Sequence, residues 1–193
     1  MTEVPAVTSV AIPSSRVSIV RRSIAAAAGV VLVAISAHIA IPMPGTPVPM
    51  TMQPLAVLLV GGALGAALGG SSLVLYLALG IAGLPVFSPY GGPGGILSII
   101  GTSGGYLLAF PLAAAATGRI VGNGRGTLRV AVGALVGLCL IHLGGLAQLA
   151  ILTGSVRQAA VLGTLPFILG DIGKLAIAIA ILRPLTPSLR ARL

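Results

Sequence analysis

Long apolar runs alternate along this chain with short segments rich in glycine, proline or arginine. The apolar positions in each run are continuous rather than alternating, so the pattern favours helices over the strands of a transmembrane barrel. A membrane-spanning helix needs roughly 20 mostly apolar residues, and the chain has room for about six. We therefore predict an all-α polytopic membrane protein with six transmembrane helices, at residues 24–41, 54–69, 73–86, 106–121, 128–152 and 166–182.

Two uncharged segments rich in proline and glycine separate these predicted helices, at residues 42–53 and 85–105. Proline lacks the backbone N–H that a helix interior needs, and glycine loses more conformational freedom on folding than any other residue. Both segments are therefore predicted to be loops that fold over the membrane domain. Shorter turns are predicted at residues 70–72 and 122–126.

Composition explains why lipid must surround these helices. Charged residues make up only 7% of the chain and mean hydropathy is +1.14, whereas soluble domains carry about 25% charged residues. The formal net charge of +9 raises the question of nucleic-acid binding, but nucleic-acid binders cluster basic residues on a polar face. Here the arginines lie between apolar runs, and aromatic residues are only 3%. We predict no nucleic-acid partner, and the single cysteine, Cys139, excludes a disulfide within the chain.

The positions of the arginines predict how the chain is oriented. Six spans place both termini on one side, together with nine arginines: Arg16, Arg21, Arg22, Arg119, Arg125, Arg129, Arg183, Arg190 and Arg192. The opposite side receives only Arg157. Because cytoplasmic loops carry an excess of basic residues, both termini are predicted to be cytoplasmic. A domain over residues 24–183 then lies in the cell membrane between cytoplasmic tails at residues 1–23 and 184–193, and both Pro/Gly-rich loops face outward.

Residues 24–41 also have the basic flank and the apolar core of a cleavable signal peptide. The length of this run and the lack of a clear small-x-small cleavage site favour a helix that is retained. We therefore count it among the six predicted spans.

One pair of charged residues, Asp171 and Lys174, lies well inside a predicted span. The two are three residues apart and so share one helix face. An intramembrane charge is costly, usually points into the protein and marks a functional site. Asp171 lies about 7–8 Å below the outer surface, counted from Pro166 at 1.5 Å per residue, and so lies beneath both loops. We predict that the pair contacts a ligand; the alternative is an ion pair that only orders the helix bundle.

Glycines of the second loop, at residues 91–95 and 101–105, permit positive φ and close backbone approach. They could therefore present backbone N–H and C=O groups to a ligand. The candidates for such contacts are Gly94, Gly95, Gly104 and Gly105; the alternative is a loop that is only flexible.

The sequence contains no motif typical of a catalytic or nucleotide-binding site. Lys174 follows Gly173, but Ile168 and Leu175 break the phosphate-loop motif. His38 and His142 show no metal-ligand spacing and are interpreted as packing or hydrogen-bonding residues. No nucleophile–base constellation is visible and the chain has only two acids, so we predict neither an enzyme activity nor a cofactor.

Small residues recur every four positions on three predicted helices and should allow close helix contact. They are Gly61, Gly65 and Gly69 on the second helix, Gly133 and Gly137 on the fifth, and Ala25 and Gly29 on the first. We predict packing within the chain; the alternative is contact with a partner subunit.

Four segments resemble, in the same order, the BioY family: residues 47–53 (PVPMTMQ), 75–87 (LYLALGIAGLPVF), 101–107 (GTSGGYL) and 170–174 (GDIGK). This family comprises the biotin-specific substrate-binding components of energy-coupling-factor (ECF) transporters. The sequence departs from the family at residues 101–105, where GTSGG replaces the common GPTGG. It also matches the alanine ridge that the family's first helix presents to the coupling subunit only through Ala25, Ala28 and Gly29.

The resemblance implies a six-helix membrane fold that binds biotin near the outer surface. It also implies a transmembrane coupling subunit and two cytoplasmic ATPases as partners, which some family members are thought to do without. Asp171 would then accept hydrogen bonds from the ureido nitrogens of biotin, while Lys174 offsets Asp171 or donates to the ligand. Gln53 and Tyr106 are candidate polar contacts from the two loops. The main alternative is a component for another small vitamin; a membrane enzyme and a membrane assembly protein are further alternatives.

Overall fold

The structure is a computed structural model that describes residues 14–191, with side chains described from residue 19. The described chain is mostly helical. Its helices are α1 (Ser14–His38), α2 (Gln53–Leu64), α3 (Ala66–Ile81), α4 (Gly95–Ile100), α5 (Gly104–Val121), α6 (Thr127–Thr153), α7 (Val156–Gly163) and α8 (Ile168–Arg190). Two short strands, β1 (Ala40–Ile41) and β2 (Met50–Thr51), pair with each other, and a 3₁₀ turn at Leu165–Phe167 leads into α8.

The described chain has four helical segments that are long and apolar enough to cross a membrane: Ile19–His38, Gly104–Val121, Thr127–Thr153 and Val156–Arg190. Helices α2 and α3 are apolar but shorter. Large apolar side chains are exposed on the outside of the bundle, where lipid would cover them; Ile151 and Leu169, for example, are 82% and 83% exposed. The predicted helical and apolar character is therefore confirmed. The described residues form more helices than predicted, because α4 lies within the second predicted loop and α7 precedes the sixth predicted helix.

The break between the second and third predicted helices is misplaced in the sequence analysis. Residues 70–72, predicted to be a turn, lie inside α3, and the chain breaks at Gly65 instead. Gly65 has φ 92° and ψ 174°, a backbone conformation that favours glycine. The Ser72 hydroxyl donates to the carbonyl of Leu68 at 2.7 Å, and serine continues a helix when its hydroxyl is satisfied in this way.

Helices α1 and α8 extend into the two segments that were predicted to be tails. Helix α1 begins at Ser14 rather than at residue 24, and residues 1–13 of the predicted N-terminal tail lie outside the described residues. Helix α8 continues to Arg190, although residues 184–193 were predicted to be tail. Two prolines inside α8, Pro184 and Pro187, do not end it.

Arg190 holds the end of α8 against two other helices. Its guanidinium donates to the carbonyl oxygens of Gly62 and Gly118 at 2.8 and 2.9 Å. These carbonyls lie in the last turns of α2 and α5, where the helix dipole favours a cation; the Gly118 carbonyl also accepts from the backbone N–H of Gly122 at 3.3 Å. The contacts explain why α8 stays ordered beyond its prolines.

Helix α5 packs against α2, α3 and α6 at the centre of the bundle. Close approach depends on glycine, since a Cβ added at Gly61 would overlap backbone atoms of Ala114, and one added at Gly105 would overlap the carbonyl of Gly144. Gly133 and Gly137 of α6 pack in the same way against Thr117 of α5. Packing within the chain is therefore confirmed for the α6 pair. Gly61 and Gly69 also pack within the chain, but the break at Gly65 places them on two helices, α2 and α3.

The two Pro/Gly-rich segments meet over one end of the bundle. Strands β1 and β2 close the first segment, in a register that pairs Ala40 with Thr51. The Thr46 hydroxyl donates to the carbonyl of Leu162 at 2.5 Å, and the Thr102 hydroxyl donates to the carbonyl of Pro47 at 3.2 Å. These contacts tie the first segment to α7 and to the second segment, directly above the start of α8.

Candidate ligand-binding site

A cavity lies beneath the two segments, between α5, α6 and the first turns of α8. It encloses about 610 Å³ not filled by protein, a volume that includes the open space at its mouth. Its apolar wall includes Val48, Phe87, Leu107, Phe110, Ile141 and Phe167. Polar side chains interrupt this wall at a few points, the pattern expected of a site that orients a small ligand.

Asp171 is the centre of the polar part of the cavity. One carboxylate oxygen accepts a hydrogen bond from Lys174 Nζ at 2.9 Å, and the other lies 2.6 Å from Nε2 of His142. The side chains of Asp171 and Lys174 are only 7% and 6% exposed, so the predicted pair on one helix face does point into the protein. Asp171 also lies in the first turn of α8, where the helix dipole favours a carboxylate.

His142 is the member of this group that sequence reasoning missed. It was interpreted as a packing or hydrogen-bonding residue, and its bond to Asp171 joins positions 29 residues apart on α6 and α8. The imidazole lies edge-on to Tyr106, with ring centroids 6.2 Å apart, and 6.5 Å from the ring of Phe167. No spacing in the sequence predicts that positions 142 and 171 meet. The one feature that could have pointed to His142 was the presence of a histidine inside a predicted span.

Gln53 also lines the cavity and is 4% exposed. Its amide nitrogen donates to the Tyr76 hydroxyl at 2.7 Å, and its amide oxygen accepts from Thr51 at 3.2 Å. The Tyr76 hydroxyl in turn donates to the carbonyl of Val86 at 2.9 Å. Because an amide nitrogen carries two hydrogens, Gln53 retains one donor for a ligand.

Tyr106 contributes its ring rather than a free hydroxyl. The hydroxyl donates to the carbonyl of Gly163 at 2.5 Å, which ties α5 to the end of α7. The ring itself lines the cavity. Tyr106 was predicted to make a polar contact with the ligand; in the structure its hydroxyl already donates to Gly163 and its ring forms part of the cavity wall.

The four glycines predicted to contact a ligand do not line the cavity. Gly94 and Gly95 have φ of 88° and 57° and turn the chain into α4. At Gly104 and Gly105 an added Cβ would overlap the carbonyls of Ile99 and Gly144, so these two serve close helix packing. Sequence pattern identifies glycines that permit unusual backbone geometry but does not say which surface they face.

Five other residues of the second segment line the cavity: Phe87, Ser88, Gly91, Ser98 and Ser103. The hydroxyls of Ser98 and Ser103 are buried and have no hydrogen-bond partner among the described residues. An unmet hydrogen bond of a buried polar group costs about 1–3 kcal/mol, so a polar ligand in this cavity would gain by meeting it. Gln148 fixes this part of the wall, because its amide nitrogen donates to the carbonyls of Ile99 and Gly101 at 2.9 and 2.5 Å.

The fold and the cavity define the class of protein: a helical membrane protein with a small-molecule site at one end of its bundle. Among the described residues no group of three or more histidine, cysteine, aspartate or glutamate side chains could hold a metal ion. The chain belongs to the BioY family, whose sequence profile matches residues 7–191. This agrees with the resemblance seen in the sequence.

Relatives and a solved structure support the same assignment. The probable biotin transporter BioY of Pyrococcus horikoshii is 44% identical over 135 residues, which cover 70% of this chain and 78% of the relative. The biotin transporter BioY of Thermotoga maritima is 33% identical over 147 residues, covering 76% and 85% of the two chains. The crystal structure of the S-component for biotin from an ECF-type ABC transporter matches with a TM-score of 0.79 and 26% identity, over 91% of this chain and 94% of that one.

Proposed function

We propose that this chain captures biotin and serves its transport across the membrane as the substrate-binding component of an ECF-type transporter, and that it is not an enzyme. The observation that carries the proposal is the buried group of Asp171, Lys174 and His142 in the wall of an apolar cavity. Membership of the BioY family and the similarity to an S-component for biotin support it.

The chemistry of biotin suits this cavity. Biotin has a ureido ring with two N–H donors and one carbonyl acceptor, an apolar thioether ring, and an alkyl tail that ends in a carboxylate. Each oxygen of Asp171 has one protein partner, and a carboxylate oxygen has two lone pairs, so Asp171 can accept a further hydrogen bond from a ureido N–H. The apolar wall fits the thioether ring and the alkyl tail.

The direct test of this function is a titration of the purified chain with biotin, alongside a panel of other small vitamins. We expect saturable binding of biotin with one site per chain and much weaker binding of the other vitamins. Saturable binding of a different vitamin, with none of biotin, would reassign the substrate within the same architecture. No binding of any of them would contradict the proposal.

We further propose that the chain crosses the membrane six times, through α1, α2, α3, α5, α6 and α8. Both termini are then cytoplasmic and both Pro/Gly-rich segments face outward, as the arginine distribution predicts. The domain limits at residues 24–183 and the tails at 1–23 and 184–193 remain sequence predictions of where the chain leaves the membrane. Helix α2 is short for a membrane span. We include it because both α2 and α3 are apolar and the chain passes from one to the other through the single residue Gly65.

Cysteine labelling in intact cells tests this orientation. Arg125 and Arg157 are both exposed and lie on opposite sides in the proposed topology. The native Cys139 is also exposed, so the background should carry Cys139→Ser. A membrane-impermeant maleimide should label Arg157→Cys in intact cells and Arg125→Cys only after permeabilisation; the reverse pattern would contradict the topology.

We propose a transmembrane coupling subunit and cytoplasmic ATPases as protein partners, with membrane lipid around the exposed apolar faces. The support is the similarity to a component of an ECF-type ABC transporter, together with a sequence that lacks a phosphate-loop motif. ATP hydrolysis would then be the work of the partners. The purified chain by itself should not be photolabelled specifically by an ATP analogue.

A further inference from the structure

The carboxylate of Asp171 is held from two different helices. Lys174 reaches it from the next turn of α8 and therefore moves together with it, whereas His142 reaches it from α6. Among the described residues, the His142 bond is thus the only side-chain hydrogen bond that fixes the carboxylate relative to another helix. A lysine side chain is also flexible, so it constrains the carboxylate plane less than a rigid imidazole does.

The imidazole of His142 is itself held in place. Its ring lies edge-on to Tyr106, at an interplanar angle of 81°, and on another side it contacts Phe167, which is 5% exposed. Tyr106 is fixed by its hydroxyl bond to Gly163, and Phe167 belongs to the 3₁₀ turn that opens α8. His142 therefore has little freedom to follow a carboxylate that rotates away.

The hydrogen bonding also assigns the proton on this imidazole. An ionised carboxylate only accepts hydrogen bonds, so Nε2 of His142 must donate to Asp171. The other ring nitrogen, Nδ1, is buried and has no partner among the described residues. A proton on Nε2 leaves only an acceptor lone pair unmet at Nδ1, whereas a proton on Nδ1 would leave a buried N–H without a partner.

We propose that His142 is a positioning residue for substrate recognition: it donates from Nε2 to Asp171 and holds that carboxylate ready to accept a ureido N–H of the ligand. This role rests on the proposed binding of biotin in the same cavity. His142 acts through Asp171 and need not touch the ligand. Preorganised acceptors bind more tightly because the ligand need not order them, so His142 contributes affinity without adding a ligand contact.

Two substitutions at position 142 distinguish the effect of losing the hydrogen-bond donor from the effect of losing the volume of the ring. His142→Gln keeps a side-chain N–H that can reach a carboxylate, whereas His142→Met fills similar space without a donor. We expect His142→Met to weaken biotin about tenfold, because a hydrogen bond to a buried carboxylate is lost, and His142→Gln to stay within about threefold of the unchanged chain. The matched control is His38→Met, because exposed His38 bonds only the carbonyl of Ala34 on its own helix; it should bind biotin normally.

Dissociation constants for biotin and melting temperatures of the ligand-free chains should be measured together. Combining His142→Met with Asp171→Asn should add little to the loss caused by Asp171→Asn alone, because the two act as one unit. Normal biotin binding by His142→Met, or equal losses in His142→Met and His142→Gln, would overturn the positioning role. If the unchanged chain does not bind biotin, the proposed function itself is contradicted. If the unchanged chain binds biotin but His142→Met binds normally, or loses as much affinity as His142→Gln, only the positioning role of His142 is contradicted.

Discussion

Replacing Asp171 with asparagine should weaken biotin binding by about ten- to over a hundred-fold. Asparagine keeps the size of the side chain but replaces a charged acceptor with an amide that has one acceptor end and one donor end. Hydrogen bonds to charged groups contribute roughly 1.5–3 kcal/mol, and each 1.4 kcal/mol is a factor of ten in affinity. The side chain lies almost fully buried at the cavity wall.

The control for this change must separate binding from stability, because Asp171→Asn also leaves Lys174 buried without its counter-charge. A cycle with Lys174→Met, measured for biotin affinity and for melting temperature, makes that separation. We expect Asp171→Asn to lose affinity in both backgrounds, with much of its loss of stability recovered when Lys174 is also replaced. An Asp171→Asn variant that binds biotin normally but melts at a much lower temperature would show that the pair is structural.

Replacing Gly61 with alanine should strongly destabilise the fold. A Cβ at this position would overlap the carbonyl oxygen, Cα and carbonyl carbon of Ala114 on α5. These are backbone atoms, so no side-chain rotation can relieve the overlap, and α2 and α5 must move apart. Overpacking of this kind costs roughly 1–3 kcal/mol and sometimes more, and here it also separates helices that line the cavity and carry the carbonyls bound by Arg190.

Gly173 provides the matched control on α8. It is exposed, helical, and an added Cβ would meet no atom within 4 Å. Gly173→Ala should therefore be neutral or stabilise the chain by up to about 1 kcal/mol, since alanine is the better helix former. Melting curves of the purified variants, with and without biotin, test both changes; equal melting temperatures for Gly61→Ala and the unchanged chain would contradict the packing described here.

The features that could be predicted from the sequence depend on residues that are close together along the chain. Continuous apolar runs identify membrane helices, because lipid requires every backbone polar group to be satisfied within the segment. Three-residue spacing placed Asp171 and Lys174 on one helix face, and the structure shows them bonded at 2.9 Å. In both cases the relevant distance is set within one or two helical turns, so neighbouring residues suffice to predict it.

The wrong predictions concern segments whose residues are compatible both with a helix and with the end of a helix. A glycine–serine cluster at residues 70–72 looks like a turn, but its serine hydroxyls are satisfied inside a helix, and the break falls at Gly65. Pro184 and Pro187 look like the end of a helix, but contacts of Arg190 with α2 and α5 hold α8 together beyond them. The serines are satisfied by local hydrogen bonds within α3, whereas the end of α8 is held by hydrogen bonds between helices that only the folded chain supplies.

The sequence by itself determined that this is a helical membrane protein of the BioY type, with an acid–base pair one helical turn apart inside a span. Only the tertiary structure decided which side chains surround that pair. His142 reaches Asp171 across 29 residues of sequence, and Ser98 and Ser103, rather than the predicted glycines, line the cavity. The reason is physical: the pitch of a helix fixes neighbours three or four residues apart, whereas contacts between helices depend on how glycines such as Gly61 and Gly105 let the backbones approach.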